Sequence, residues 1–229
     1  HTSNYKIRGF TEQPSLTVIR KALPPEVILA VDQGSGNISL TAQDEPTVPA
    51  LLKEGADLVC FSGDKVFGGP QCGWITGKKD LIACIARHPL MRTYRVGRTV
   101  AALMEETLVY YLNNGKSAAA EALQLDPAEI KKRSESIVAE LPAGIASVIS
   151  HPFSLGGGST PDEAFPSWAI MLHTQKPEAV KTALRFCSTP IIAFISEDRL
   201  LLHLAAIAPD DDAYIAQELK ELSKNSADF

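Results

Sequence analysis

The chain has 229 residues, 45% hydrophobic and 21% charged, with a formal net charge of −5. That apolar share excludes disorder as the main state, and the lack of any apolar run of about 18 residues argues against a membrane-spanning helix. The acidic balance excludes a uniformly basic nucleic-acid coat and leaves room only for a local basic patch.

In chain order, residues 27–31 form a continuous apolar run ending at Asp32, the pattern of a buried parallel strand with a functional tip. A short helix is predicted over 49–55, closed by Gly55. Residues 58–62 read as a second buried strand that leads into Gly63-Asp64-Lys65. Gly68-Gly69-Pro70 turns the chain into a returning strand over 73–77, and helices follow over 80–87 and 100–112. Asn113-Asn114-Gly115-Lys116 is a break, which places a domain boundary between residues 1–115 and 116–229. Past it, Asp126-Pro127-Ala128-Glu129 is a helix start with an N-cap, Pro at the first position and Glu at the third. Strands near 145–150 and 167–172, a helix over 177–186, strands over 191–195 and 200–204, and a last helix over 211–222 complete the pattern. The order β-β-α-β-β-α implies a small α+β domain with an antiparallel sheet.

The chain opens His1-Thr2-Ser3-Asn4-Tyr5, with no initiator Met and no leader pattern, and so reads as part of a longer translation product. Cys60, Cys72, Cys84 and Cys187 form no C-x-x-C pair. All four lie among apolar residues in sequence, as expected of reduced structural thiols in a cytoplasmic protein, with no metal site.

Lys65 follows a buried strand and precedes a glycine-rich turn. One reading is a partly desolvated amine with a lowered pKa, prepared for Schiff-base chemistry; the other is a lysine snorkelling from a strand end. Asp32 ends the preceding strand and is followed by Gly34-Ser35-Gly36. Parallel neighbours would bring both tips to one sheet edge, where α/β proteins bind ligands. A carboxylate beside such a lysine is what pyridoxal 5'-phosphate (PLP) requires, the Asp keeping the pyridine nitrogen protonated while the Lys holds the aldehyde. The competing reading of Asp32 is a helix N-cap or turn carboxylate. Residues 81–104 hold Arg87, Arg92, Arg95 and Arg98 with no acidic residue, which is either a solvated face or an anion-binding patch.

The segments His1-Thr2-Ser3-Asn4-Tyr5, Ser62-Gly63-Asp64-Lys65 with Gly68-Gly69-Pro70-Gln71, and Arg87-His88-Pro89-Leu90 resemble the bacterial selenocysteine synthase (L-seryl-tRNA(Sec) selenium transferase) family. Asp44-Glu45-Pro46-Thr47, Gly156-Gly157-Gly158-Ser159 and Leu200-Leu201-Leu202 extend the resemblance across the chain. It implies an α/β fold of the type I PLP-dependent transferases (aspartate-aminotransferase-like), with residues 1–115 the C-terminal portion of the PLP-binding domain and 116–229 a small α+β domain. Members are roughly twice as long, so the chain would correspond to their C-terminal part; the other half would supply much of the phosphate cradle and the tRNA-binding domain.

By the same resemblance, Lys65 is the Schiff-base lysine, Asp32 the pyridinium partner, and Asp64 an aid to proton transfer or a turn-capping carboxylate. Asn4, Ser3 and His1 line the cofactor pocket, while Arg92 and Arg95 bind selenophosphate. Arg98 meets RNA or a neighbouring subunit. The implied activity converts L-seryl-tRNA(Sec) to L-selenocysteinyl-tRNA(Sec) by β-elimination and selenium addition, in a homo-oligomer built from dimers. Gln33, where the family pattern is apolar, and Gly97, where it is acidic, depart from it. Gly156–Ser159 is read as a turn or as a border of the active-site mouth. Two rivals remain: a PLP-dependent lyase acting on a small amino acid or amino sugar acid, and a catalytically silent assembly module.

Overall fold

The computed structural model describes residues 9–10, 12–39, 46–154 and 164–225. Two compact units divide the chain, His1–Leu123 with Ser154–Glu163, and Gln124–Phe153 with Ala164–Phe229.

In the first unit, helix α1 (Leu16–Ala22) begins at Ser15, whose Oγ accepts the Val18 N–H at 3.4 Å. Strand β1 (Ala30–Gly34) starts three residues later than the apolar run of 27–31 suggests. Val27 and Ile28 are 39% and 54% exposed. The Val27 N–H turns back onto the Pro24 carbonyl at 3.0 Å, so the first part of the run belongs to a turn, and apolarity alone does not separate the two. Helix α2 (Val48–Lys53) is capped by Thr47, whose Oγ1 accepts the Ala50 N–H at 3.2 Å, with Pro49 in its first turn. It packs against β2 (Leu58–Ser62), which pairs in parallel with β1 and antiparallel with β3 (Gly73–Gly77). Val48, Leu51, Ala56, Val59, Phe61, Phe67 and Met104 form the core beneath this sheet.

Asp57 pins the opposite end of the sheet. Its buried carboxylate accepts the Leu29 N–H at 2.7 Å and pairs with Lys78 at 2.5 Å and Arg20 at 3.3 Å. The Leu29 N–H first, and then Lys78, hold that carboxyl below the usual Asp range.

Helices α3 (Lys79–Arg87), α4 (Met91–Tyr94), α5 (Arg98–Leu112) and α6 (Ala118–Gln124) follow. The break after residue 112 is present, with Asn114 in the left-handed region at φ 63° that Asn tolerates. Helix α6 follows that break, and the division between units falls between Leu123 and Gln124.

In the second unit, α7 (Pro127–Ala139) starts as its sequence requires, the Asp126 Oδ1 accepting the Ala128 N–H at 2.9 Å. Strands β4 (Ala146–Ser150) and β5 (Trp168–Leu172), helix α8 (Pro177–Arg185), strands β6 (Phe194–Ser196) and β7 (Arg199–His203) and helix α9 (Asp212–Asn225) complete it. The sheet is antiparallel throughout, in the order β4-β5-β7-β6. Glu197 and Asp198, at φ 50° and 59°, make the two-residue turn that matches the twist of a hairpin. Alternate strand residues Ile170, Leu172, Leu200 and Leu202 pack with Ile137, Leu184 and Leu219 from the helices. Arg133 clamps α9 with a two-pronged bond to Asp212 at 2.8 and 2.7 Å.

His151 Nδ1 and His203 Nε2 lie 2.9 Å apart, with the His203 ring stacked on Phe194 at 5.4 Å. Burial first, and then the neighbouring His151, push His203 down to about 4. A histidine lowered from its unfolded value near 6.5 stabilises the fold above that value, and the contribution is lost as pH falls from about 6.5 through about 4. Urea melts should therefore show stability falling by roughly 1–2 kcal/mol between pH 8 and pH 5 from this residue. His203→Phe, which keeps the aromatic stack, should remove that part of the loss. An undiminished loss in the variant would assign it to other groups.

Candidate active site

The parallel pairing of β1 and β2 delivers both C-terminal ends to one edge. Asp32 stands opposite Cys60, and the register then slips so that Gly34 stands opposite Phe61, leaving Gln33 as a bulge. Asp32 is exposed, whereas Gln33, Ser35 and Asn37 are buried. Burial first, and then the charge of Asp32, raise the Cys60 thiol pKa, which places the two groups within electrostatic reach.

Strand β2 ends at Ser62, so Lys65 lies three residues beyond the strand, in the turn itself. Three backbone bonds shape that turn: Gly63 N–H to the Cys72 carbonyl at 2.9 Å, Gly69 N–H to Gly63 at 2.7 Å, and Gly68 N–H to Lys65 at 3.0 Å. Two hydroxyls hold it from outside. Tyr111 Oη donates to the Phe67 carbonyl at 2.7 Å, and Ser117 Oγ donates to the Val66 carbonyl at 2.7 Å. Neither was singled out in the sequence, where an isolated Tyr or Ser near a helix end carries no signal. Lys65 emerges half-buried, and the exposed Asp64 accepts the Ser62 hydroxyl at 3.0 Å.

The loop after β1 touches this turn directly. The Phe67 N–H reaches the Ser35 carbonyl at 3.3 Å. A Cβ on Gly36 would lie 2.7 Å from Phe67 Cβ and 2.8 Å from the Ser62 carbonyl oxygen, so only glycine permits that approach. Gly68, at φ 75°, meets Ser117 in the same way, with an added Cβ only 2.4 Å from the Ser117 Cβ. The loops carrying Asp32 and Lys65 are thereby packed together.

The arginines lie on and between helices α3, α4 and α5 of the first unit. Arg87 ends α3, Arg92 lies in α4, Arg95 follows it and Arg98 begins α5; all four are exposed. Arg92 and Arg95 form no ion pair among the described residues. A cavity of about 690 Å³ opens beside the turn, lined by Gly68, Gly69, Pro70, Leu103, Tyr110 and Ser117 among others. His1, Ser3 and Asn4, with Thr2, lie outside the described residues, as do Asp44, Glu45 and Gly156–Ser159. All four cysteines are free; Cys84 is exposed on α3, against the expectation of apolar surroundings, because its sequence neighbours occupy other faces of the helix. Among the described residues no helix is long and apolar enough to cross a membrane.

A parallel strand pair with a lysine turn and a carboxylate at one edge, joined in sequence to an antiparallel α+β unit, is the α/β architecture of type I PLP-dependent enzymes. The solved structure of D-glucosaminate-6-phosphate ammonia-lyase shares this fold, with a TM-score of 0.57 at 21% identity over 94% of this chain and 55% of that one. The chain belongs to the L-seryl-tRNA selenium transferase (SelA) family, whose model matches residues 1–208. It is 35% identical to the L-seryl-tRNA(Sec) selenium transferase of Hyphomonas neptunium, covering 97% of this chain and 51% of that protein. Similarity to the enzymes of Moorella thermoacetica (35%, covering 96% of this chain and 50% of that protein) and Rhizobium meliloti (35%, covering 100% and 52%) is equally extensive. The chain thus spans about half the length of the curated relatives it matches.

Proposed function

We propose that this chain carries the lysine-bearing part of the active site of a cytoplasmic, PLP-dependent L-seryl-tRNA(Sec) selenium transferase. The observation that supports the reading most is the packing of the Asp32 loop against the Lys65 turn. It sets an amine and a carboxylate at one edge of a parallel strand pair. That donor set fits PLP, whose aldehyde needs an amine and whose pyridine nitrogen needs an acid. Bound there, the cofactor would supply an electron sink for the carbon that loses its proton.

Lys65 would hold the aldehyde, and its free amine is the group placed to take the α-proton of the seryl group. Asp32 holds the proton on the pyridine nitrogen. Asp64, hydrogen-bonded to Ser62, assists proton movement beside the lysine. The family resemblance assigns Asn4, Ser3 and His1, which lie outside the described residues, to cofactor binding. Arg92 and Arg95 hold selenophosphate, exposed guanidinium forks suited to that anion. Serine loses its α-proton and hydroxyl as water; selenium from selenophosphate then bonds the β-carbon, the α-carbon regains a proton, and water cleaves the P–Se bond to release inorganic phosphate, in a homo-oligomer built from dimers. The complete protein, given PLP, seryl-tRNA(Sec) and selenophosphate, should form selenocysteinyl-tRNA(Sec). Ammonia release from a free small amino acid or amino sugar acid, without that product, would redirect the reading to a lyase, and no PLP uptake at all would redirect it to an assembly module.

The arginine roles separate from a solvated basic face by one comparison. Arg92→Ala or Arg95→Ala removes a charge-assisted contact worth about 1.5–3 kcal/mol, or a roughly ten- to hundred-fold weaker interaction with the selenium donor. Lysine should restore only part, since a point charge lacks the bidentate fork. Serine dehydration, measured separately, should survive. Equal loss of both steps would point to tRNA docking or subunit assembly, and no loss in either to a solvated face.

A further inference from the structure

Gln33 occupies the bulge immediately after Asp32, and the residue is only 4% exposed. A buried amide is tolerated when both of its ends are satisfied. Here Oε1 accepts the Gly36 N–H at 2.7 Å and Nε2 donates to Ser35 Oγ at 2.9 Å, which in turn accepts the Asn37 N–H at 3.2 Å. The two amide bonds close a ring over residues 34–36, where Gly34 and Gly36 take φ 88° and 76°. That ring aims the Ser35 carbonyl at the Phe67 N–H, two residues beyond Lys65. Beta-bulges beside active sites typically re-aim neighbouring groups.

We propose that Gln33 is a positioning residue that fixes the Lys65 turn relative to Asp32 through the Gly34–Asn37 loop, an inference that rests on the roles assigned above to those two residues. Gln33 touches neither cofactor nor substrate in this account. It acts through the loop whose outer surface is the Phe67 contact.

Amide hydrogen exchange in the complete protein without cofactor tests the coupling directly. Gln33→Met keeps the length of the side chain and removes the amide. Losing the bonds it makes should speed exchange at Gly36 and Phe67 by about ten-fold or more, while Val59 in the adjacent strand core stays unchanged. Ser35→Ala removes the acceptor of both Gln33 Nε2 and the Asn37 N–H but leaves the Gln33 Oε1 bond to Gly36, and should act in the same direction with smaller effect. With PLP added, the pH midpoint of the bound cofactor's absorbance should shift in Gln33→Met, a change that a purely space-filling residue would not produce. Unchanged Phe67 exchange in both variants, or equal acceleration at Val59, overturns the proposal. So does a cofactor midpoint identical to that of the unmodified protein. Should Gln33→Met not fold, Ser35→Ala decides by the same exchange criterion. Failure of the Lys65 assignment itself would show in the unmodified protein, as PLP not fixed to Lys65 by borohydride, and the exchange result stands apart from it.

Discussion

Lys65→Ala should abolish covalent capture of PLP and all measurable turnover of the complete protein, a loss of about 10⁴-fold or more, because one amine serves as both anchor and base. The fold should tolerate the change. The turn is held by backbone bonds among Gly63, Lys65, Gly68, Gly69 and Cys72 and by the hydroxyls of Tyr111 and Ser117, none of which uses the lysine side chain. A half-buried side chain replaced by Ala in such a frame should change stability by no more than about 1 kcal/mol. The measurement is borohydride reduction with PLP followed by peptide mapping, beside a urea melt. Label still fixed to the Lys65→Ala protein would move the anchor to another lysine. Loss of label together with a collapsed melt would make the residue structural.

Most elements were legible because they rest on local rules. Asp126-Pro127 starts α7 and Gly68-Gly69-Pro70 turns the chain toward β3, each a short-range signal with a mechanism. The start of β1 was less legible, since Val27 and Ile28 are as apolar as a buried strand but stand exposed before it. Helices α1 and α6, of seven residues each, and the four-residue α4 carry no sequence signal, all three too short for a hydrophobic period to emerge. In the candidate site, glycine-rich spacing identified the lysine turn. What braces that turn was not visible, because Ser117 and Tyr111 lie 52 and 46 residues beyond Lys65 and meet it only in three dimensions. Gln33 stood out as a departure from the family pattern, but its purpose depends on a register slip that sequence does not encode in any single residue.

Asp32→Asn should leave PLP bound and slow α-proton removal by about 10²–10³-fold, the usual loss when one preorganised electrostatic contact is removed. The amide keeps the shape of the carboxylate but has no charge with which to hold a proton on the pyridine nitrogen. Because Asp32 is exposed, standing midway along β1 rather than ending it, the substitution creates no buried cavity, and the β1–β2 pairing of Asp32 with Cys60 is made by backbone. A second readout needs neither cofactor nor substrate. The Cys60 thiol pKa is raised by burial and then by the negative charge of Asp32. Removing that charge should lower it, so Cys60 should react faster with a thiol reagent at mildly alkaline pH if access is unchanged. A slower proton transfer with a more reactive Cys60 would locate the defect in the charge of Asp32. Unchanged turnover with the same rise in Cys60 reactivity would show the carboxylate present at the edge but not engaged with the cofactor, and the pyridinium role would fall.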